Sequence, residues 1–155
     1  KCILKKAKFI KAGLKQAVFS NTDLTAADFS HSNMYSTKFL NVQAASISFS
    51  NCNFDSVVLA NSNLTNGSFN NAHINTTVFN NCKLVGVVFI ESTSYKAIFN
   101  ECEFNNNSFD KAIIQLSFFA KANFENINFS HLDLSQIQFS ECQLKGCNFS
   151  SSLLQ

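Results

Sequence analysis

The sequence contains no arginine: all 12 of its basic residues are lysines. That counts against a nucleic-acid surface, because arginine makes the bidentate contacts to bases and phosphates that such surfaces favour. Proline is also absent, and the 4 glycines are scattered. They form no phosphate-cradling loop and no Gly/Ser linker that would split the chain into subdomains. With only 3 histidines, there is no HExxH zinc motif and no Ser-His-Asp arrangement. No apolar run approaches the roughly 20 residues that span a bilayer, and no signal-peptide pattern opens the chain.

What is present is a beat of five. Every position whose number ends in 4 or 9, from Leu4 to Leu154, gives 31 centres, of which 29 are Leu, Phe, Ile or Met. Ala44 and Ser94 are the exceptions. Of the 18 phenylalanines, 17 fall on this beat, Phe118 standing outside it. The aromatic load therefore belongs to a core and needs no ligand to explain it.

Two residues before each centre runs a second column, small in most repeats: Cys2, Ala7, Ala12, Ala17, Thr22, Ala27. The residue between the two is mostly polar, which makes a short in-out-in alternation of the kind a strand shows. The two remaining residues of each five are rich in Asn, Ser, Thr and Lys, as a turn requires. A helix is excluded by the period, since five residues advance about 500° and would sweep the apolar positions around the axis. A chain that turns so often while pointing the same two residues inward coils around its own core.

Strings such as Thr22-Asp23-Leu24-Thr25-Ala26, Ala27-Asp28-Phe29-Ser30-His31 and Ala122-Asn123-Phe124-Glu125-Asn126 resemble the A-(D/N)-L-x-x unit of pentapeptide-repeat proteins. The resemblance covers essentially the whole chain. It implies an all-β fold, a right-handed quadrilateral β-helix with four fives to each coil of 20 residues and about 7 to 8 coils in residues 1–155, a single domain. The centres give a separate check. Phe occupies 9, 29, 49 and every twentieth position to 149, and also 19, 39, 79, 99, 119 and 139, with Leu at 59. Such alternation needs an even number of fives per coil, so two opposite walls carry Phe in stacked ladders. At about 4.8 Å per coil the rod is on the order of 37 Å long.

Three places strain the rule. Ser94, with Ser92 before it, removes volume from one wall; Ala44 does the same where Val42 and Ile47 can compensate. Ile127, Leu132 and Ile137 put three large residues in succession into the small column, which should widen or distort that coil. Asn107 in the same column is expected to bond a turn carbonyl.

All six cysteines (Cys2, Cys52, Cys82, Cys102, Cys142 and Cys147) lie in the small inward column, where a thiol behaves as a small hydrophobe. No disulfide, metal or other cofactor is expected. Cys82 and Cys102 fall on successive coils with parallel side chains, a poor bridging geometry. Reduced thiols fit a cytosolic compartment. His31 and His131 share a column five coils apart, so the histidines build no site, and catalysis is not expected.

Two outward features are candidate sites. Half of the lysines (Lys1, Lys5, Lys6, Lys8, Lys11 and Lys15) sit in the first tenth of the chain, while residues 16–155 carry a formal −4 (6 Lys against 10 acids). This is a candidate contact for phosphate, a membrane surface or an acidic partner, or else a charged end that discourages strand pairing. The second is the outward column Val18, Lys38, Val58, Val78, Ile98, Phe118 and Gln138. Its apolar members are a candidate interface with a protein partner, an adjoining domain or a second copy, or else β-branched residues that simply suit strands. The column Asn21, Asn41, Asn61, Asn81 reads as a structural ladder.

The chain begins at Lys1, already in register and without an initiator Met, and is expected to be a piece of a longer protein. The reading that follows is a non-enzymatic interaction or scaffold module of a larger bacterial protein. It would be cytoplasmic, or located in a host cell if the parent is one of the secreted effectors the family includes. The resemblance also implies an alternative, a DNA-mimicking protein that binds DNA gyrase and confers quinolone resistance; a second alternative, should a catalytic domain adjoin the rod, is a spacer or substrate-recognition arm. The mimic would need dense acidic columns, whereas the outward positions here are mostly Asn, Ser, Thr and Lys.

Overall fold

The computed structural model describes residues 2–154, and these contain strands and turns with no helix. The strands are only two or three residues long, and every pairing is parallel with partners 20 positions apart, as in Phe39 opposite Leu59, Leu59 opposite Phe79 and Phe79 opposite Phe99. The chain is a parallel β-solenoid of about seven turns. Four walls repeat in chain order. The first holds the centres Leu4 to Leu144, the second Phe9 to Phe149, the third Leu14 to Leu154 and the fourth Phe19 to Phe139.

Each five ends in a corner, where the chain swings onto the next wall. At every position ending in 1 or 6 from Lys6 to Ser151 the backbone has positive φ, Gln136 excepted. Most of these residues are not glycine, and Asn, which tolerates the left-handed region, is the commonest. At Gly86 and Gly146 the corner is bare for a second reason: a Cβ there would collide with the amide oxygen of Asn66 or Asn126 one coil earlier.

Inside, the two Phe walls stack as the spacing predicts. Phe79, Phe99, Phe119 and Phe139 lie parallel at 4.6, 4.8 and 5.3 Å, and Phe69, Phe89 and Phe109 at 5.2 and 5.0 Å. Opposite walls meet edge to face, as Phe29 does Phe39 at 5.9 Å, the arrangement the ring quadrupole favours. Several polar members of the small column donate to carbonyls of the preceding coil, most of them 23 residues back. Thr37 and Thr77 donate to Leu14 and Phe54 at 2.7 Å, Cys52 donates to Phe29 at 2.9 Å, and Asn107 donates to Leu84 and Val87. The expectation for Asn107 holds, although its Oδ1 is buried without a partner.

The strained places resolve differently. Val42, Ala44 and Ile47 are all fully buried, so the missing volume at Ala44 is refilled. Ser94 is not compensated. Its hydroxyl bonds Ser117 at 3.0 Å beside a cavity of about 10 Å³, no larger than one water needs.

The oversized residues open the ladder. From Leu4 to Phe89 every centre amide outside the regular strands donates to the carbonyl 19 residues later, as Leu64 does to Lys83 at 2.9 Å. Phe109, Lys111, Ile114 and Leu116 make no such bond to the coil of Ile127 and Leu132, nor do Asn128 and Asp133 return the reverse ones. Register survives at Ser108 opposite Asn128, but Phe109 and Phe129 have drifted to 5.7 Å. The second and third walls are parted here while the first and fourth stay paired. Ile137 does not extend the damage to the fourth wall: it is half-buried near the end of the rod, where its side chain can relax outward.

Candidate interaction surface

The fourth wall alone is regular strand throughout. Its seven strands are Val18–Ser20, Lys38–Leu40, Val58–Ala60, Val78–Asn80, Ile98–Asn100, Phe118–Ala120 and Gln138–Ser140. They form one sheet in sequence order of coils. The β-branched residues at its mid-strand positions are of the kind that suit a pleated surface. They also face outward: Val18 is 59% and Ile98 41% exposed, while Val58, Val78 and Phe118 are half-buried. Lys38 and Gln138 are exposed and polar within the same column. At about 4.8 Å per strand the column runs roughly 29 Å along the rod.

Beside this stripe the structure adds residues that the spacing did not single out. Tyr95 (42%) and Leu116 (42%) are exposed where the third wall turns onto the fourth, and Ile113 (53%) is exposed on the third wall itself, opposite Thr93. Leu116 holds a corner with φ of 52°, a conformation costing an L-residue about 1–2 kcal/mol and rare for a bulky side chain. Directly beneath lie Ser92, Ser94 and Ser117, all buried. The usual order is broken here at one centre, where Ser94 puts a polar side chain among Phe89, Phe99 and Phe119 while Tyr95 and Leu116 stand outside. The sequence signal for it was the break at Ser94.

The lysines of the first coil do not converge on one face. Lys1 lies outside the described residues. Lys5 and Lys6 take the turn between the first and second walls, Lys8 the second wall, Lys11 the next corner and Lys15 the turn after the third wall. Lys5 is engaged with Asp23 at 3.3 Å. Three further ion pairs join neighbouring coils: Lys83 with Glu103 at 3.9 Å, Lys111 with Glu91 at 3.6 Å and Lys145 with Glu125 at 2.7 Å. Carboxylates on the rod are thus interleaved with cations rather than arrayed in acidic columns.

The cysteines are free, and the thiols of Cys52, Cys82, Cys102, Cys142 and Cys147 point to carbonyls. Burial pushes the Cys52 thiol up, and the neighbouring Cys82 thiol together with burial pushes Cys102 well above the ordinary range, which removes nucleophilic character. Among the described residues no three His, Cys, Asp or Glu side chains cluster as metal ligands would. His73 bonds Thr93 through Nδ1 at 3.0 Å, and Asn81 donates to Asn61 at 2.8 Å in the corner ladder. An open cleft of about 350 Å³ follows the parted walls, lined by Asn107, Asp110, Lys111, Asn128, Ser130 and His131 among others.

Residues 1–67 match the family described as "Pentapeptide repeat region", and residues 52–90 and 119–155 match "Pentapeptide repeats (8 copies)". The chain belongs to the pentapeptide-repeat family. Among solved pentapeptide-repeat structures, it is similar to a trypsin-treated form of QnrB1, a plasmid-mediated fluoroquinolone resistance protein, at 13% identity and a TM-score of 0.49, covering 96% of this chain and 91% of that one. It is similar to HetL, a pentapeptide repeat protein involved in heterocyst differentiation regulation from the cyanobacterium Nostoc, at 12% identity and 0.34, covering 98% and 86%. A third is a pentapeptide repeat protein of the Arabidopsis thaliana thylakoid lumen, at 15% and 0.36, covering 70% and 66%. A comparison with curated protein sequences finds no match.

Proposed function

We propose that the chain is a non-enzymatic interaction module of a larger bacterial protein, docking a protein partner or an adjoining domain through its fourth wall. The observation that supports this reading is the apolar column Val18, Val58, Val78, Ile98 and Phe118 on the one wall that is continuous sheet. Contiguous apolar surface of this kind marks interaction sites on soluble domains. The interior is filled with stacked side chains, leaving function to the outer faces. Interleaving of Lys with Glu along the rod runs against the gyrase-binding alternative, which needs uninterrupted negative columns. The setting we propose is the bacterial cytoplasm, or a host cell if the parent protein is secreted.

The test is capture from source-cell lysate by the immobilised wild type, by a fourth-wall variant (Val58→Asp with Val78→Asp) and by a second-wall control (Ser48→Asp with Ser68→Asp). A partner retained by wild type and control but lost from the fourth-wall variant supports the reading. Equal retention by all three overturns it.

A further inference from the structure

We infer that the corner between the third and fourth walls, on the coils of residues 93–100 and 113–120, binds a short peptide segment that pairs apolar side chains with a carboxylate. The inference rests on the proposed role of the fourth wall as an interaction face and names what one end of it takes.

Four observations converge. The corner departs from the packing order at Ser94, a polar side chain at a buried centre, while Tyr95, Ile98 and Leu116 stand exposed, as does Ile113 on the adjoining third wall. Local rules broken without a folding gain are where function is expected. Leu116 holds the left-handed conformation at a column that elsewhere carries Gln16, Ser36, Ser56, Thr76 and Lys96, so nothing in the corner's geometry calls for a leucine. Lys96, one coil before it, lies over the Tyr95 ring at 5.1 Å, an arrangement that steadies the ammonium on an apolar platform. Among the described residues no carboxylate lies within 4.0 Å of that ammonium, although other lysines on the rod have found one. The corner therefore presents an unpaired cation on the Tyr95 ring, with exposed Leu116 one coil further on.

Size selects the occupant. Two coils and one corner offer roughly 200–300 Å², well short of the about 800 Å² per partner that a stable folded interface uses. A segment with two or three apolar anchors and one acidic residue fits that area, and its carboxylate would reach Lys96.

The probes are fluorescein-labelled dodecapeptides in three sets, apolar residues flanking a central Glu, Gln or Lys, titrated by fluorescence anisotropy. The Glu set is expected to bind wild type tightest. Leu116→Asn should weaken it at least about tenfold, as loss of an anchor does, with an unchanged or higher melting temperature because Asn suits the corner. Lys96→Glu should reverse the order, favouring the Lys set. Absence of saturable binding by wild type, or binding indifferent to Leu116→Asn, overturns the inference. So does concentration-dependent dimerisation in sedimentation that Leu116→Asn abolishes, since the occupant would then be a second copy. If Val58→Asp with Val78→Asp abolishes partner capture while no peptide set binds, the fourth-wall reading stands and this one fails. If capture ignores those substitutions while the Glu set binds, the reverse holds.

Discussion

Residues 41–100 and residues 107–136 follow the same five-residue beat, carry the same Phe ladders and, Gln136 apart, turn through the same left-handed corners. In the first stretch the walls are laced by the expected amide-to-carbonyl bonds; in the second, six of those bonds are missing across two adjacent walls. The difference lies in the small column. Opposite one another across the regular coils stand residues such as Cys52 and Ala72, or Ser62 and Cys82, whereas the parted walls set Asn107 against Ile127 and Ala112 against Leu132. The beat decides which side chains point inward, and the volume of the small column decides how closely the coils can approach. Hydrogen bonding follows from that approach. Each unmade bond forfeits roughly 1 kcal/mol net, less where water in the cleft takes its place.

The largest expected effect comes from emptying the core on either side of this comparison. Phe69→Ala, in the laced stretch, should cost about 3–5 kcal/mol in urea denaturation. Phe129→Ala lies beside the parted walls, where the coils already stand apart and can settle toward the gap. It should cost less, by at least about 1 kcal/mol, since the loss depends on how far a site can collapse. Equal costs would show that the junction is packed as tightly as the rest, and the comparison would break.

Hydrogen exchange reads the ladder itself. The amides of Phe109, Lys111, Leu116 and Asn128 should exchange at least about 100-fold faster than those of Phe89, Glu91, Lys96 and Ser108, their equivalents one coil earlier, because unpaired amides open without unfolding. Replacing Ile127 and Leu132 by Ala should slow the first group toward the second as the coils close. If the double variant leaves those amides fast, column volume is not what parts the walls.

The fold was legible because a five-residue period with two inward columns calls for a coil around its own core; the alternation of Phe centres required an even number of walls, and the family resemblance implied four. The overpacking at Ile127 and Leu132 could also be read from side-chain volume alone. Its consequence, which walls part and which stay paired, could not, because it depends on how neighbouring coils share strain. Likewise the stripe of Val58 and Val78 follows from counting in twenties, while its continuation round the corner to Tyr95, Ile113 and Leu116 does not. Those three residues occupy different positions within their fives, and only the built coils set Tyr95 opposite Gln115, beside Leu116, with Ile113 opposite Thr93 on the third wall. Ser94 was visible as a gap in the beat, but the apolar surface above it was not, since a centre's missing volume says nothing of the adjacent outward residues.

The smallest expected effect sharpens the comparison at the turns. Asp28, on an earlier coil bonded as fully as residues 41–100, accepts the Ser30 amide at 2.9 Å, and Asp133 beside the parted walls accepts the Ser135 hydroxyl at 2.6 Å and amide at 3.0 Å. In both cases hydrogen bonds from the serine hold the carboxyl below its ordinary value. A depressed folded-state pKa contributes stability that is present above the unfolded value, about 3.9, and is lost as pH falls through the folded one. Melting temperature should therefore decline below about pH 4, and less steeply in Asp28→Asn or Asp133→Asn than in wild type. Because each bond closes a turn within one five rather than bridging two coils, the two variants should flatten the acid limb alike. If only Asp28→Asn did so, the disruption between coils would extend into the turns themselves, and the five-residue unit would no longer be the intact element on both sides of the gap.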